Sequence, residues 1–316
     1  MASYEENLTG FKNQLSFKGL SALNLKTLSE VKPNGIVVFG MGGSGIPGII
    51  LEKLADEMKI PVPVVAVRDD KLPRLFFKKP LFIAVSFSGE TAETLKILNA
   101  VLKIKNASVA AITGGGKLKK LAKREKLPSV FFRKGGLTPR ESSAKMFYGI
   151  VRVLNRVFPI KVLNSPKLAN QSQLKNLGKK LARAANNRDV LIYTASEFSH
   201  LGQVWETNLD ETAKTPAFAN VFPELSHNEI AGFKKKSGNW IIFWLKDKST
   251  DDKKIKNIEK ILGGEGIKSV EIPLTGGNKQ EKTWNSILLS HWTALELAKL
   301  NKINPRKTEI IDKLKK

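Results

Sequence analysis

Three short segments carry residue types able to hold a phosphate group. Ser86-Phe87-Ser88-Gly89-Glu90-Thr91 places three hydroxyls in six residues, between an apolar run that reads as a strand, Pro80 to Val85, and a helical stretch, Ala92 to Lys103. Hydroxyls and backbone N–H groups would converge there on one helix N-terminus, which favours an anion through the helix dipole and charge-assisted hydrogen bonds. Helix capping alone would need only Ser88 or Thr91. Upstream, Gly40-Met41-Gly42-Gly43-Ser44-Gly45 follows a strand, Gly35 to Phe39, and opens a helix reaching about Lys59. It satisfies GxGxxG, so a dinucleotide reading stands beside the phosphate reading, with Asp69 or Asp70 as the acid for a ribose, farther along than the usual spacing. The hydroxyl-rich loop on the other strand favours phosphate without nucleotide. A third segment, Thr113-Gly114-Gly115-Gly116, ends the strand Ser108 to Ile112.

Other chemistries are narrowed by what the chain lacks. With no cysteine, disulfides, thiolate catalysis and Cys-based zinc sites are excluded. The three histidines, His200, His227 and His291, form neither HExxH nor a close pair, so no metal and no cofactor is expected. No apolar run approaches a bilayer span and no secretory signal opens the sequence, which makes the cytoplasm the expected location.

The elements that must position these residues alternate. Strands at Val62 to Val67 and Ser129 to Phe132 and helices at Leu118 to Arg124 and Ser142 to Phe158 complete a first half, residues 1–158. A connection from Pro159 to Gln171 leads into the second, residues 159–316. There, strands at Val190 to Thr194, Trp240 to Leu245 and Ser269 to Ile272 alternate with helices at Leu201 to Ala213, Asp251 to Leu262 and Gln280 to Leu300. Such alternation predicts two α/β domains, each a mostly parallel sheet flanked by helices in three αβα layers. Ligands of such sheets bind beyond the carboxyl ends of the strands. Trp205, Trp240, Trp244, Trp284 and Trp292 fall on apolar faces and read as core or interface residues.

The net charge of +24 comes from 53 Lys and Arg against 29 Asp and Glu. It would suit a nucleic-acid binder. Runs such as Lys117-Leu118-Lys119-Lys120 and Lys234-Lys235-Lys236 lack interleaved aromatics, however, and no RNA-binding or zinc-finger pattern accompanies them. The expected surface is Lys-rich and solvated, with a field that also steers a small anionic substrate.

The segments GMGGSGIPG, SFSGETAETL, ITGGGKL and TPRESSAKM, in that order, followed by NLDETAKTPA, PELSHNEIAGF and a terminal helix with Thr308 and Lys315, resemble the bifunctional phosphoglucose/phosphomannose isomerases, built from two sugar-isomerase (SIS) domains. The resemblance implies an aldose–ketose isomerase that passes a hexose 6-phosphate through a cis-enediol, in a homodimer with its sites near the subunit interface. It implies phosphate and sugar binding at Gly43, Ser44, Ser86, Ser88 and Thr91, and Glu211 as the base that moves a proton between adjacent carbons. His227 and Lys315 would open the sugar ring, Arg140 would stabilise the enediolate, and the small Thr308 would leave room for both C2 epimers. On one helix Thr308 and Lys315 would share a face about 10 Å apart. Asp210, Thr212 and Glu90 depart from the family pattern, where Asn is usual. A sensor that binds a sugar phosphate without catalysis, using only the first-half loops, is the alternative, and the joint presence of Glu211, His227 and Lys315 argues against it. A dinucleotide-dependent oxidoreductase would rest on Gly40 to Gly45 alone.

Overall fold

The computed structural model describes residues 3–74, 76–162, 166–234, 238–248 and 252–314. The chain divides into two compact units, Met1–Pro166 and Lys167–Lys316. The first contains α1 (Tyr4–Thr9), β1 (Leu20–Leu23), β2 (Gly35–Phe39), α2 (Ile46–Leu54), β3 (Val64–Val67), β4 (Pro80–Ser86), α3 (Ala92–Val101), β5 (Ser108–Thr113), α4 (Gly116–Arg124), β6 (Ser129–Phe132) and α5 (Ser143–Leu154). Its sheet runs β1-β6-β5-β4-β2-β3 and is parallel except for β1, which pairs antiparallel with β6.

Every residue of β2 and β4 is buried, because a parallel strand in mid-sheet is covered on both faces and must be apolar throughout. Strand alternation sorts those side chains. Val37, Phe39, Phe82 and Ala84 pack with Ile97, Leu98 and Val101 of α3 and Leu118 and Ala122 of α4. On the other face, α2 and α5 come close enough that Gly48 meets Val38 and Gly149 meets Ile112.

The second unit holds α6 (Gln171–Ala185), β7 (Asp189–Ala195), α7 (Ser199–Asn208), β8 (Ala217–Phe222), β9 (Trp240–Lys246), α8 (Asp252–Gly264), β10 (Lys268–Pro273), α9 (Lys279–Leu300) and α10 (Glu309–Lys313). Four parallel strands run β10-β9-β7-β8. Ile255, Ile258 and Leu262 of α8 pack with Leu191, Tyr193, Ile242 and Trp244 on one face. On the other, Gly202 of α7 meets Ala219 and Thr194, and α6 lies against α9 with Gly178 under Trp292. Trp205, Trp244, Trp284 and Trp292 are buried and Trp240 is half-buried. Among the described residues no helix is long and apolar enough to cross a membrane.

Three elements, β1, β8 and α6, escape the sequence reading. β8, with the sequence AFANVF, is a sheet edge with Phe218 exposed and Asn220 at its middle, so it shows neither an apolar run nor a clean alternation. α6 is strongly basic, with apolar positions at Leu174, Leu177, Leu181 and small residues, and it begins where a connection was expected to end. The helix expected from Leu201 to Ala213 stops at Asn208 and continues as a π-helical turn, Leu209–Ala213.

In the first sheet the chain order reverses beside β2: β3 lies on one side of it and β4 on the other. The loops after β2 and β4 therefore border a switch-point crevice, the place where open α/β sheets bind ligands. The second sheet reverses between β7 and β9.

Candidate active site

At the switch point of the first unit, Gly40–Gly45 and Ser86–Thr91 are tied together. Ser44 Oγ accepts a hydrogen bond from the Phe87 amide at 2.9 Å. Ser86 Oγ accepts from the Gly89 amide at 3.0 Å and lies 3.0 Å from Thr91 Oγ1, while Ser88 Oγ accepts from the Glu90 amide at 3.1 Å. Thr91 stands at the N-cap of α3 with no side-chain bond to the helix amides. Its hydroxyl faces Ser86 instead, so the first-turn N–H groups of α3 remain for an anion rather than for a cap.

Close backbone approaches hold this loop cluster in place. A Cβ on Gly43 would lie 2.6 Å from the Arg140 nitrogen and 2.8 Å from the Pro139 carbonyl carbon, so the absence of a side chain is what lets the Arg140 segment rest on the glycine turn. Gly89, with φ +75°, sits where a Cβ would meet the Gly115 carbonyl oxygen at 1.8 Å. Glu90 fastens the third loop: its Oε1 accepts from the Lys117 amide at 2.9 Å, and its Oε2 is 3.4 Å from Lys117 Nζ. Arg140 itself is buried. Thus the Gly43-Ser44 turn, the Ser86–Thr91 loop and the backbone at Arg140 lie against one another. Lys134, which sequence reasoning passed over, stands beside that loop, with Nζ 3.5 Å from the Ser88 carbonyl and over the Phe87 ring. Its position just past the carboxyl end of β6 was the available signal.

Of the two candidate ribose acids, Asp70 is already engaged. Asp70 Oδ2 is 2.5 Å from Lys96 Nζ, and that hydrogen bond holds the Asp70 carboxyl below its ordinary range. The corresponding crevice of the second unit is filled by ion pairs. Lys282 Nζ lies 2.6 Å from Asp247 Oδ1, and Lys279 Nζ lies 3.4 Å from Glu197 Oε2. Both ammonium groups lie over the Phe198 ring.

A cavity of the second unit opens elsewhere, beside the start of β8. It measures about 640 Å³, and Glu206, Asp210, Glu211, Lys214, Phe218 and Thr308 are among its walls. A buried polar ladder sets the helix that leads to it: His200 Nε2 to Thr283 Oγ1 at 3.1 Å, Trp205 Nε1 to Ser286 Oγ at 3.0 Å, and Asn208 Nδ2 to Ser290 Oγ at 2.8 Å. This fixes the register of α7 on α9, and the π-turn that follows turns Leu209, Thr212 and Ala213 inward. Asp210 and Glu211 are left on the cavity side; π-turns of this kind recur at functional sites.

Lys214, in the left-handed region, closes the turn and donates from Nζ to the Glu211 carbonyl at 2.5 Å and the Asn304 carbonyl at 3.5 Å. Asn301 Nδ2 donates to the Ala213 carbonyl at 3.1 Å. These bonds tie Asn301 and Asn304 to the turn, and Thr308, farther along, lines the same cavity as Glu211. Asp210 Oδ1 accepts from the Ala217 amide at 3.0 Å. Asp210 as a whole is exposed to solvent, yet burial of its carboxyl in the cavity wall pushes it up to about 6, with the Ala217 amide opposing and the charges of Glu206 and Glu211 adding.

His227 is not in this cavity. It lies past the carboxyl end of β8, exposed, in a 3-10 turn, whereas Glu211 precedes the amino end of the same strand. Six residues of strand separate those ends, about 17 Å at ~3.3 Å per residue. The turn bearing His227 is anchored by Leu225 and Phe233 in the core and by Glu229, whose carboxylate accepts from Tyr193 Oη at 2.7 Å and from Asn220 Nδ2. Thr308 is the N-cap of α10, which begins at Glu309. Lys315, like Lys235 and Lys236 of the basic run, lies outside the described residues. Among the described residues no group of three or more His, Asp or Glu side chains is placed to hold a metal ion.

Residues 174–316 match the family model of the bacterial phospho-glucose isomerase C-terminal SIS domain. Over 319 residues, 99% of this chain and 98% of the relative, the sequence is 30% identical to a bifunctional phosphoglucose/phosphomannose isomerase of Thermoplasma volcanium. The chain belongs to this isomerase family. A bifunctional phosphoglucose/phosphomannose isomerase of Caldicellulosiruptor bescii is 32% identical across 89% of this chain and 88% of its own length. Among solved structures, the C-terminal domain of glucosamine-fructose-6-phosphate aminotransferase from Francisella tularensis superposes with a TM-score of 0.73 at 15% identity, covering 96% of each chain, a likeness of fold. The isomerase family thus accounts for both units, each a mostly parallel sheet flanked by helices.

Proposed function

We propose that this member of the isomerase family interconverts glucose 6-phosphate and mannose 6-phosphate with fructose 6-phosphate through a cis-enediol. Family membership supports the reaction class. The observation that carries the site is the joint presence of Glu211 and Thr308 in one cavity, with Glu211 presented by a π-turn. Aldose–ketose isomerisation needs one base able to reach two adjacent carbons, and donors for the oxygen that gains charge as the proton leaves. In this reading Glu211 is that base. Arg140, a fixed cation, stabilises the enediolate, and the Ser86–Thr91 loop with Gly43 and Ser44 takes the phosphate. Thr308 bounds the space beside C2, where glucose and mannose differ. Lys315 is assigned to ring opening by resemblance.

His227 stands at the far end of β8 from Glu211, farther than one hexose reaches. The ring-opening histidine for a given Glu211 is therefore supplied by a second copy of the chain, and a homodimer is the proposed working state. Glu211→Gln keeps shape and hydrogen-bonding reach but removes the base. In a coupled assay, kcat should fall by roughly 10²–10⁴-fold, while fructose 6-phosphate binding by calorimetry stays near the parent value. A parent protein that binds fructose 6-phosphate yet shows no turnover would return the reading to a sugar-phosphate sensor.

A further inference from the structure

We propose that Lys134 is a substrate-binding residue, the cation that pairs with the phosphate group seated on the Ser86–Thr91 loop. The inference deepens the isomerase reading and rests on its placing of the phosphate there.

Charge balance at the loop calls for such a residue. A phosphate monoester carries about −1.5 to −2 charges near neutral pH, whereas the hydroxyls of Ser86, Ser88 and Thr91 are neutral and the N-terminus of α3 amounts to roughly +0.5. The charged residue within the loop, Glu90, is acidic, and Lys117 balances it: the Lys117 amide donates to one carboxylate oxygen at 2.9 Å and its ammonium lies 3.4 Å from the other. Hydroxyls, amides and the Glu90–Lys117 pair together leave most of the phosphate charge unmatched. A cation not already paired with a carboxylate is what the loop needs, and Lys134 is one. Its Nζ lies 3.5 Å from the Ser88 carbonyl oxygen and 5.6 Å from the centre of the Phe87 ring, and among the described residues it forms no ion pair.

The course of the side chain is set by the fold. Lys134 follows the carboxyl end of β6, and its stem runs over the loop that leaves the adjacent strand β5. A Cβ on Gly114 would lie 2.9 Å from Lys134 Cγ and 3.1 Å from Cε, so bare backbone at that position admits the stem and directs it toward Ser88. An ammonium has three N–H donors. One reaches the Ser88 carbonyl at the long end of hydrogen-bond distance, which leaves two for phosphate oxygens. Lys134 is exposed, and exposed side chains change rotamer within nanoseconds, so the ammonium turns from the carbonyl to a phosphate oxygen without a backbone shift.

Lys134→Met keeps the stem and removes the charge, and Lys134→Arg keeps a cation. Calorimetric titration with fructose 6-phosphate, and with inorganic phosphate as competitor, reads the effect directly. In Lys134→Met both should bind about fivefold more weakly, between the range of an exposed ion pair and that of a hydrogen bond to a charged group. KM should rise by a similar factor with a smaller change in kcat, Tm should stay at the parent value, and Lys134→Arg should recover most of the affinity. Parent-level affinities in Lys134→Met would overturn the proposal. So would a lowered Tm with unaltered affinity for inorganic phosphate, the pattern of a lysine that only staples the β6 loop to Phe87. The double variant Ser86→Ala, Ser88→Ala in the same series separates the two readings. Unchanged phosphate binding there, and in Lys134→Met, removes the phosphate from the loop and this proposal with it, whereas weakened binding in the serine variant beside an unaltered Lys134→Met removes the proposal alone.

Discussion

Hydroxyls at a helix start usually cap the helix, and the Ser86–Thr91 loop departs from that use. Thr91 turns to Ser86, Ser86 receives the Gly89 amide, and Ser88 receives the Glu90 amide, so the loop is prearranged without a side chain on the first-turn amides of α3. A hydrogen bond to a charged group contributes about 1.5–3 kcal/mol. The double variant Ser86→Ala, Ser88→Ala should therefore raise KM for fructose 6-phosphate by about tenfold or more, with a smaller change in kcat. An unaltered KM, with Tm as the folding control, would remove the phosphate from this loop.

Elements do the positioning. In the first unit, two loops from neighbouring strands meet a third segment because Gly43 offers bare backbone to Pro139 and Arg140. Gly43→Ala would force the Arg140 segment outward, since atoms at 2.6 Å cannot share that space. Overpacking of this kind costs about 1–3 kcal/mol. The expected outcome is a lower Tm together with a kcat loss that tracks displacement of the Arg140 charge, and full retention of both would show that the segment yields without cost. In the second unit, three buried side-chain hydrogen bonds between α7 and α9 hold the π-turn at a set height above β8. A helix free to slide would carry Glu211 with it.

For the molecule as a whole, the +24 charge contrasts with a cavity wall that includes Glu206, Asp210, Glu211 and Glu309. A long-range positive field would draw in a sugar phosphate. Steering of this sort is screened over about 8 Å at physiological ionic strength. Raising salt should thus lower kcat/KM while kcat stays nearly constant wherever capture limits kcat/KM, measured by initial rates in a salt series. Constant kcat/KM would leave the charge a trait of the surface.

The amino-acid sequence alone determined the parallel sheets, because buried strands must be apolar throughout and the loops after them must turn tightly, and both demands show as local composition. It likewise determined the hydroxyl loop, whose residues are contiguous. Tertiary structure decided the rest. β8 is a half-exposed edge strand, so its placement depends on neighbours rather than on its own pattern. The Arg140 backbone lies against Gly43, and Thr308 lines the same cavity as Glu211, residues about a hundred positions apart in each case. Asp210 gains its environment only when the π-turn sets it beside Glu206, Glu211 and the Ala217 amide. His227 and Glu211, only sixteen residues apart, are parted by an intervening strand, since an extended segment carries its two ends as far from each other as the backbone allows.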